Sequence, residues 1–233
     1  MSTNKNKTIL SVLLLSYISV YSQSQQNSGW LFISHTQQLT KRFDALADVQ
    51  VRSGDRLAQF KTLLLRGGVR YNFNKKHSVA TGYTYKGDWT YEESKRSYSP
   101  ENRIFEQYLL NTKISRNEFT FQYRQEQRFV KDMGKNQFSQ RSRAFVSFQF
   151  PLVANVDFSK GLYTTLQDEI FLNTQHKERV NNSLFDQNRP FVSVGYRWSK
   201  KLDTEIGYMY WLKRETEGDV QTSVFQVMIT TQL

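Results

Sequence analysis

The stretch FTFQYRQEQRF, from Phe119 to Phe129, carries two interleaved patterns. Taken every second residue, one set is Phe119, Phe121, Tyr123, Gln125, Gln127 and Phe129; the other is Thr120, Gln122, Arg124, Glu126 and Arg128. A β-strand sends alternate side chains to opposite faces, so these are two faces of one strand. A soluble sandwich turns the charged face to water and the greasy face to its core. A transmembrane barrel does the reverse, with the greasy face on lipid and the charges in the lumen. In that arrangement Phe119, Phe121 and Tyr123 meet lipid and Phe129 stands at the outer interface. Glu126 is then a counter-ion between two arginines rather than a catalytic acid.

Outward from this stretch, the same alternation recurs along the chain. The 233 residues are 38% hydrophobic and 15% aromatic, too polar for a helical membrane protein and too aromatic for disorder. Residues 1–22 read as a secretory signal: Lys5 and Lys7, an apolar run from Ile9 to Val20, and a small residue, Ser22, before Gln23. That run is short of the roughly 20 apolar residues of a spanning helix. Removing it lowers the formal charge from +11 to +9. Without cysteine the chain has no disulfides. The domain plan is a signal peptide over 1–22, a flexible N-terminal segment over 23–29, and a single β-barrel domain over 30–233.

Short turns are read near 40–42, 74–76, 115–117 and 199–201, and longer polar loops near 53–59, 88–100, 131–138, 174–183 and 213–221. Outer-membrane barrels alternate short periplasmic turns with longer outer loops, and a sandwich has no reason to do so. Lys41, Arg42, Lys75, Lys76, Arg116, Lys200 and Lys201 mark the short turns; they suit either anionic headgroups of the inner leaflet or simple solvation. Eleven segments are counted from Trp30, whereas single-chain bacterial barrels carry even numbers. Ten follow if Trp30–Leu39 lies outside the wall, and twelve if a strand hides in 151–160 or just after the signal. The expected fold is all-β: a transmembrane antiparallel up-and-down β-barrel of 10–12 strands.

The inward faces collect Arg66, Arg70, Arg103, Arg124, Arg128, Arg141, Arg143, Arg189 and Arg197 against acids that include Glu126, Glu169 and Glu205. Two readings fit. One is a lattice of ion pairs filling a narrow lumen, because buried charges need partners. The other is a water-filled, arginine-lined pore that favours anions. Outward aromatics suit the membrane interfaces: Tyr71, Phe73, Tyr83, Tyr85, Phe129, Tyr196, Trp198, Tyr208 and Tyr210. Glycine precedes tyrosine at Gly82, Gly195 and Gly207, placing a small residue opposite each ring.

Catalysis finds little material. The histidines are His35, His77 and His176; Ser34 and His35 point to opposite faces, and no G-x-S-x-G occurs. No Cys and no paired-His spacing suggests a metal, so no cofactor is expected. The reading is an integral outer-membrane barrel, structural or a narrow anion-favouring channel, with a lipid-modifying enzyme as the alternative and a soluble binding sandwich behind both. Its partners are outer-membrane lipids and the insertion machinery, not nucleic acid.

A set of short motifs in fixed order adds to this. They are Trp30, Lys41-Arg42-Phe43, Arg66-Gly67-Gly68-Val69-Arg70-Tyr71, Gly82-Tyr83, Glu101 and Arg103 with Gln107, and Arg124-x-Glu126-x-Arg128-Phe129. Arg141-x-Arg143, Pro151-Leu152, Glu169-x-Phe171-x-Asn173, Asn188-Arg189 and Gly207-Tyr208 follow. In this the chain resembles domain-of-unknown-function family 2490, secreted proteins common in Bacteroidetes, over nearly all of its length after the signal. The resemblance implies an outer-membrane β-barrel and brings no catalytic residues.

Overall fold

Alternating residues pair into a closed wall of strands. The computed structural model describes residues 25–92, 95–132 and 135–233; the proposed signal at 1–22 lies outside them. The strands are β1 (Gln25–Gln38), β2 (Phe43–Ser53), β3 (Phe60–Asn72), β4 (His77–Glu92), β5 (Lys95–Ile114) and β6 (Asn117–Asp132). They continue with β7 (Lys135–Ala154), β8 (Gly161–Gln175), β9 (Phe185–Asn188), β10 (Phe191–Ser199), β11 (Leu202–Glu215) and β12 (Gly218–Gln232). Each pairs antiparallel with its neighbours from β1 through to β8, and β10, β11 and β12 do likewise. Short β9 and β10 share one place between β8 and β11, interrupted at Arg189 and Pro190. Proline has no N–H to give a ladder. The ladder is instead carried by Arg189 N–H to the Glu169 carbonyl (2.9 Å) and Tyr210 N–H to the Pro190 carbonyl (3.0 Å).

The barrel closes through β1 on β12, and this pair is parallel, from Gln25 beside Gln221 to Thr36 beside Gln232. The wall therefore has 11 staves, within the expected range and odd. Evenness follows only when every neighbour is antiparallel; one parallel seam removes the requirement. Neither the ten- nor the twelve-strand alternative is needed. The weakly alternating 30–39 segment is in the wall, and β1 starts at Gln25. Residues 25–29 are thus strand rather than a flexible segment, with Ser28 buried and bonded to the Ser53 carbonyl at 2.7 Å.

One rim of the barrel carries the turns at 39–42, 73–76, 115–116, 155–160 and 200–201; we call it the turn rim. At the opposite rim, the stretches expected as polar loops at 88–100, 131–138 and 213–221 are mostly strand. The β4–β5 ladder runs on to Glu92 beside Lys95, and the β11–β12 ladder to Glu215 beside Gly218. Cross-strand rings hold the first extension on its outward face: Trp89 lies 4.8 Å from Phe60 and 5.0 Å from Tyr98. Among the described residues, the segments without strand at this rim are 54–59, 176–184 and the two-residue turn at 216–217.

The two faces of the wall differ as the alternation requires. Outward stand Leu65, Val69, Ile104, Val194, Ile206 and Phe225, all exposed. Inward lie buried Arg103, Arg124, Glu126, Arg141 and Arg143. A sandwich would bury the first set and expose the second.

Candidate lumenal site

Glu126 on β6 is 2% exposed and stands at the centre of the inward charges. Its register neighbours are Phe105 on β5 and Arg141 on β7. Arg141 donates to it through Nε (3.0 Å) and Nη2 (2.6 Å), Arg143 through Nη1 (2.6 Å), and Arg103 lies 3.8 Å away. Arg141 also reaches Asp186 at 2.7 Å, and Arg143 reaches Glu169. A second hub, Glu101, accepts two bonds of 2.8 Å from Arg103 and one from Arg128. Glu126 is thus a counter-ion as expected, but its partners come from β7 and β5. The two same-strand arginines turn elsewhere, Arg124 to Gln107 (2.7 Å) and Arg128 to Glu101. Side chains two apart on one strand are separated by about 6–7 Å, whereas directly opposed residues on paired strands come within about 5 Å. For Glu126 cross-strand pairing wins, whereas Arg103 and Glu101, two apart on β5, pair along their strand.

The twelve candidate network residues are all inward, yet they do not form one network. Arg66 pairs with Asp48 (3.2 Å) and Arg70 with Asp44 (2.7 Å) on the β2–β3 side. Arg197 bridges Glu118 (3.0 Å) and Asp203 (3.1 Å) near the turn rim. Glu205 joins none of these. It accepts from Ser193 (2.6 Å) and Thr165 (3.0 Å) and has no ion-pair partner among the described residues. Sequence reasoning missed Glu101, Asp186, Arg52 and Lys86 as members. Glu101 lay at the edge of a stretch read as loop, and Asp186 in the irregular β9. Arg52 and Lys86 already shared the polar face of their strands, so the alternation could have found them.

Aromatic rings support the guanidinium groups from behind. Phe171 lies under Arg141 (4.8 Å), Arg143 (4.6 Å) and Arg189 (4.6 Å), Phe105 under Arg124 (4.7 Å), and Trp30 under Arg52 (3.8 Å). A stacked guanidinium keeps its N–H edges free for bonding in its own plane. Glycines make the room for such rings. A Cβ on Gly82 would sit 2.7 Å from the Phe105 ring, and one on Gly207 2.6 Å from Phe191. The Gly-Tyr pairs therefore serve both faces: the tyrosine points out, and the glycine admits an inward ring from the next strand.

A cavity of about 700 Å³ reaches the rim opposite the turns, past Ser53, Thr90 and Lys213. Three buried N–H groups on its lining arginines have no hydrogen-bond partner: Arg52 Nε, Arg66 Nε and Arg124 Nη1. On the β8–β12 side, buried side chains pack across the interior below the cavity. Phe191, Val224 and Met228 pack with Trp30 and Met209, while Tyr163 and Phe158 pack edge to face at 5.6 Å. Phe158 comes from the turn at 155–160. Arg197 covers its ring at 4.1 Å and bonds its carbonyl at 3.0 Å.

On the outer face, Tyr71, Phe73, Tyr196 and Trp198 stand near the turn rim, and Tyr83, Tyr85, Phe129, Tyr208 and Tyr210 toward the other. The Tyr208 hydroxyl bonds Ser223 (2.8 Å) and that of Tyr83 bonds Asn102. Polar outward side chains interrupt this face along the strands, as where Gln127 donates to Glu106 (3.0 Å) and Asn188 to Asp168 (2.7 Å). Of the histidines, His35 contacts Thr231 (2.7 Å), His77 Tyr108 (2.6 Å) and His176 Glu178 (3.0 Å). Ser34 bonds Thr230 instead, at 3.3 Å.

The chain belongs to the family described as "Protein of unknown function (DUF2490)", whose model matches residues 27–222. No curated protein and no solved structure matches it.

Proposed function

We propose that the chain is an integral barrel of the bacterial outer membrane, exported by its N-terminal signal, whose lumen is closed at the turn rim. Its first role is then structural rather than conductive. The observation that carries this reading is the inverted distribution of side chains: an exposed apolar outer face over a charged, buried interior. On β3 the outward run from Leu65 to Phe73 covers roughly 20 Å at a rise of about 3.3 Å and a tilt of about 40°. That suits a thin outer membrane, with aromatic rings at either edge. The turn rim faces the periplasm, where its lysines and arginines meet anionic headgroups, and the extended strands reach outside. No helix among the described residues is long and apolar enough to cross a membrane.

Heat-modifiable migration after insertion into detergent or lipid tests the barrel. Migration unchanged by boiling, together with failure to fractionate with outer membranes, would overturn it. Planar bilayers test the closed lumen, the expected result being no stable conductance. A second reading, a narrow anion-selective channel, is favoured by the arginines with unbonded N–H groups; discrete anion-selective steps from the native chain would establish it instead.

A further inference from the structure

We propose that the lumenal cavity is a binding site for a soluble organic oxyanion, a phosphate or carboxylate borne on a ring or other apolar body. Three observations meet there. First, buried Arg52 and Arg124 have no carboxylate partner among the described residues; they bond only the neutral side chains Gln50 and Gln107. An unpaired buried cation is costly, and a bound anion relieves that cost. Second, both arginines line the cavity and each keeps a buried N–H group, Arg52 Nε and Arg124 Nη1, without a hydrogen-bond partner among the described residues, and guanidinium edges match the planar spacing of oxyanion oxygens. Third, Trp211, Phe145 and Met209 share the same lining, giving an apolar body a wall beside the cationic one. The volume, about 700 Å³, suits a small organic molecule rather than a bare ion.

The source is solution rather than the bilayer. The cavity mouth lies at the rim of Thr90 and Lys213, at the strand ends away from the turn rim and past the outward Tyr85 and Tyr210. The inference concerns the lumen alone, and stands whether or not the closed barrel conducts.

The test is calorimetric titration of the whole protein, refolded in detergent, with phenyl phosphate, inorganic phosphate and benzyl alcohol. Phenyl phosphate should bind most tightly, inorganic phosphate more weakly, and benzyl alcohol not measurably. Arg52→Gln and Arg124→Gln should each weaken phenyl phosphate at least tenfold. Arg70→Gln, outside the cavity, should leave it unchanged. Trp211→Leu should weaken phenyl phosphate while sparing inorganic phosphate. Heat-modifiable migration reports folding of every variant, and if the arginine variants fail to fold, the three native titrations decide alone. Benzyl alcohol binding as well as phenyl phosphate, no binding by any probe, or folded arginine variants that bind as the native chain does would each overturn the site. Competition by phosphatidate presented in nanodiscs would overturn the soluble source.

Discussion

Along β5–β8 the lumen is filled by charge, and along β10–β12 with β1 it is filled by apolar side chains. On the charged side, Glu126 holds Arg141 and Arg143, and Glu101 holds Arg103 and Arg128. On the apolar side Val224 is fully buried among Trp30, Phe191, Met209 and Met228. The wall is antiparallel along the first and carries the parallel β1–β12 seam along the second, yet both send alternate side chains inward. What differs is the cost of error. An apolar filling takes up a lost methyl group as a cavity, whereas an ion-pair filling that loses a partner leaves buried charge short of its counter-charge, at greater cost.

The largest effect expected is therefore from Glu126→Gln. It leaves Arg141 and Arg143 with one carboxylate each, Asp186 and Glu169, and should destabilise the folded barrel by about 3–5 kcal/mol. Val224→Ala on the other side should cost about 2 kcal/mol, from transfer and cavity terms. Both are read from urea unfolding in detergent. The bonding partners of Glu126 and the packing partners of Val224 do not overlap, so the double variant should equal the sum within about 0.5 kcal/mol. Equal single costs, or strong coupling, would mean that the two fillings act as one core.

Glycine sharpens the contrast next. A Cβ on Gly82 would collide with the Gly67 carbonyl, which is backbone, as well as with Phe105. A Cβ on Gly195 meets side chains: the Tyr163 ring and, at 2.6 Å, Glu205 Cγ. Both alanine variants should lose about 1–3 kcal/mol by overpacking. Trimming the ring should rescue only the second: Gly195→Ala with Tyr163→Leu should recover most of its loss, and Gly82→Ala with Phe105→Leu should not. Unfolding midpoints of the four variants check this, and rescue of both would place the Gly82 collision in the side chain alone.

The sequence made the two faces readable and left the partners hidden. Alternation placed Arg66, Arg124, Glu126 and Arg143 on the inward face because it depends only on the period of the strand. It could not pair Glu126 with Arg141, because pairing depends on register, which is set by turns and by long-range neighbours. Glu205 shows the same limit: its face was legible, its isolation from every arginine was not. The odd count was hidden because a parallel seam joins the first and last strands, the most distant in sequence. The extension of β4 and β5 was passed over although Trp89 and Tyr91 continue the outward alternation of Tyr83 and Tyr85, because the dense charge of residues 92–96 read as a loop. Phe158 was invisible in a stretch with no period, since a turn, not a strand, carries it inward.

The smallest effects concern the turn that carries Phe158, where the filled end of the lumen meets water. Phe158→Ala removes the ring beneath Arg197 and should let a small, anion-selective conductance appear in planar bilayers where the native chain shows none. Asp157, next to it and fully exposed, accepts from Ser159 (2.7 Å) and faces Lys200 across 3.2 Å, tying this turn to the one at 200–201. These donors hold its carboxyl down at about 2, below the usual carboxylate range. For a group whose folded value is depressed, the stabilisation is present above the unfolded value and is lost as pH falls through the folded one. The tie should therefore be intact at neutral pH, start to weaken below about 4, where a free aspartate protonates, and be gone once pH falls past about 2. Carboxyl chemical shifts of Asp157 should follow that course, and Asp157→Asn should remove the transition while leaving conductance at neutral pH as in the native chain. If Asp157→Asn alone opens the pore, the tie between the turns, and not the buried ring, is what keeps this end shut.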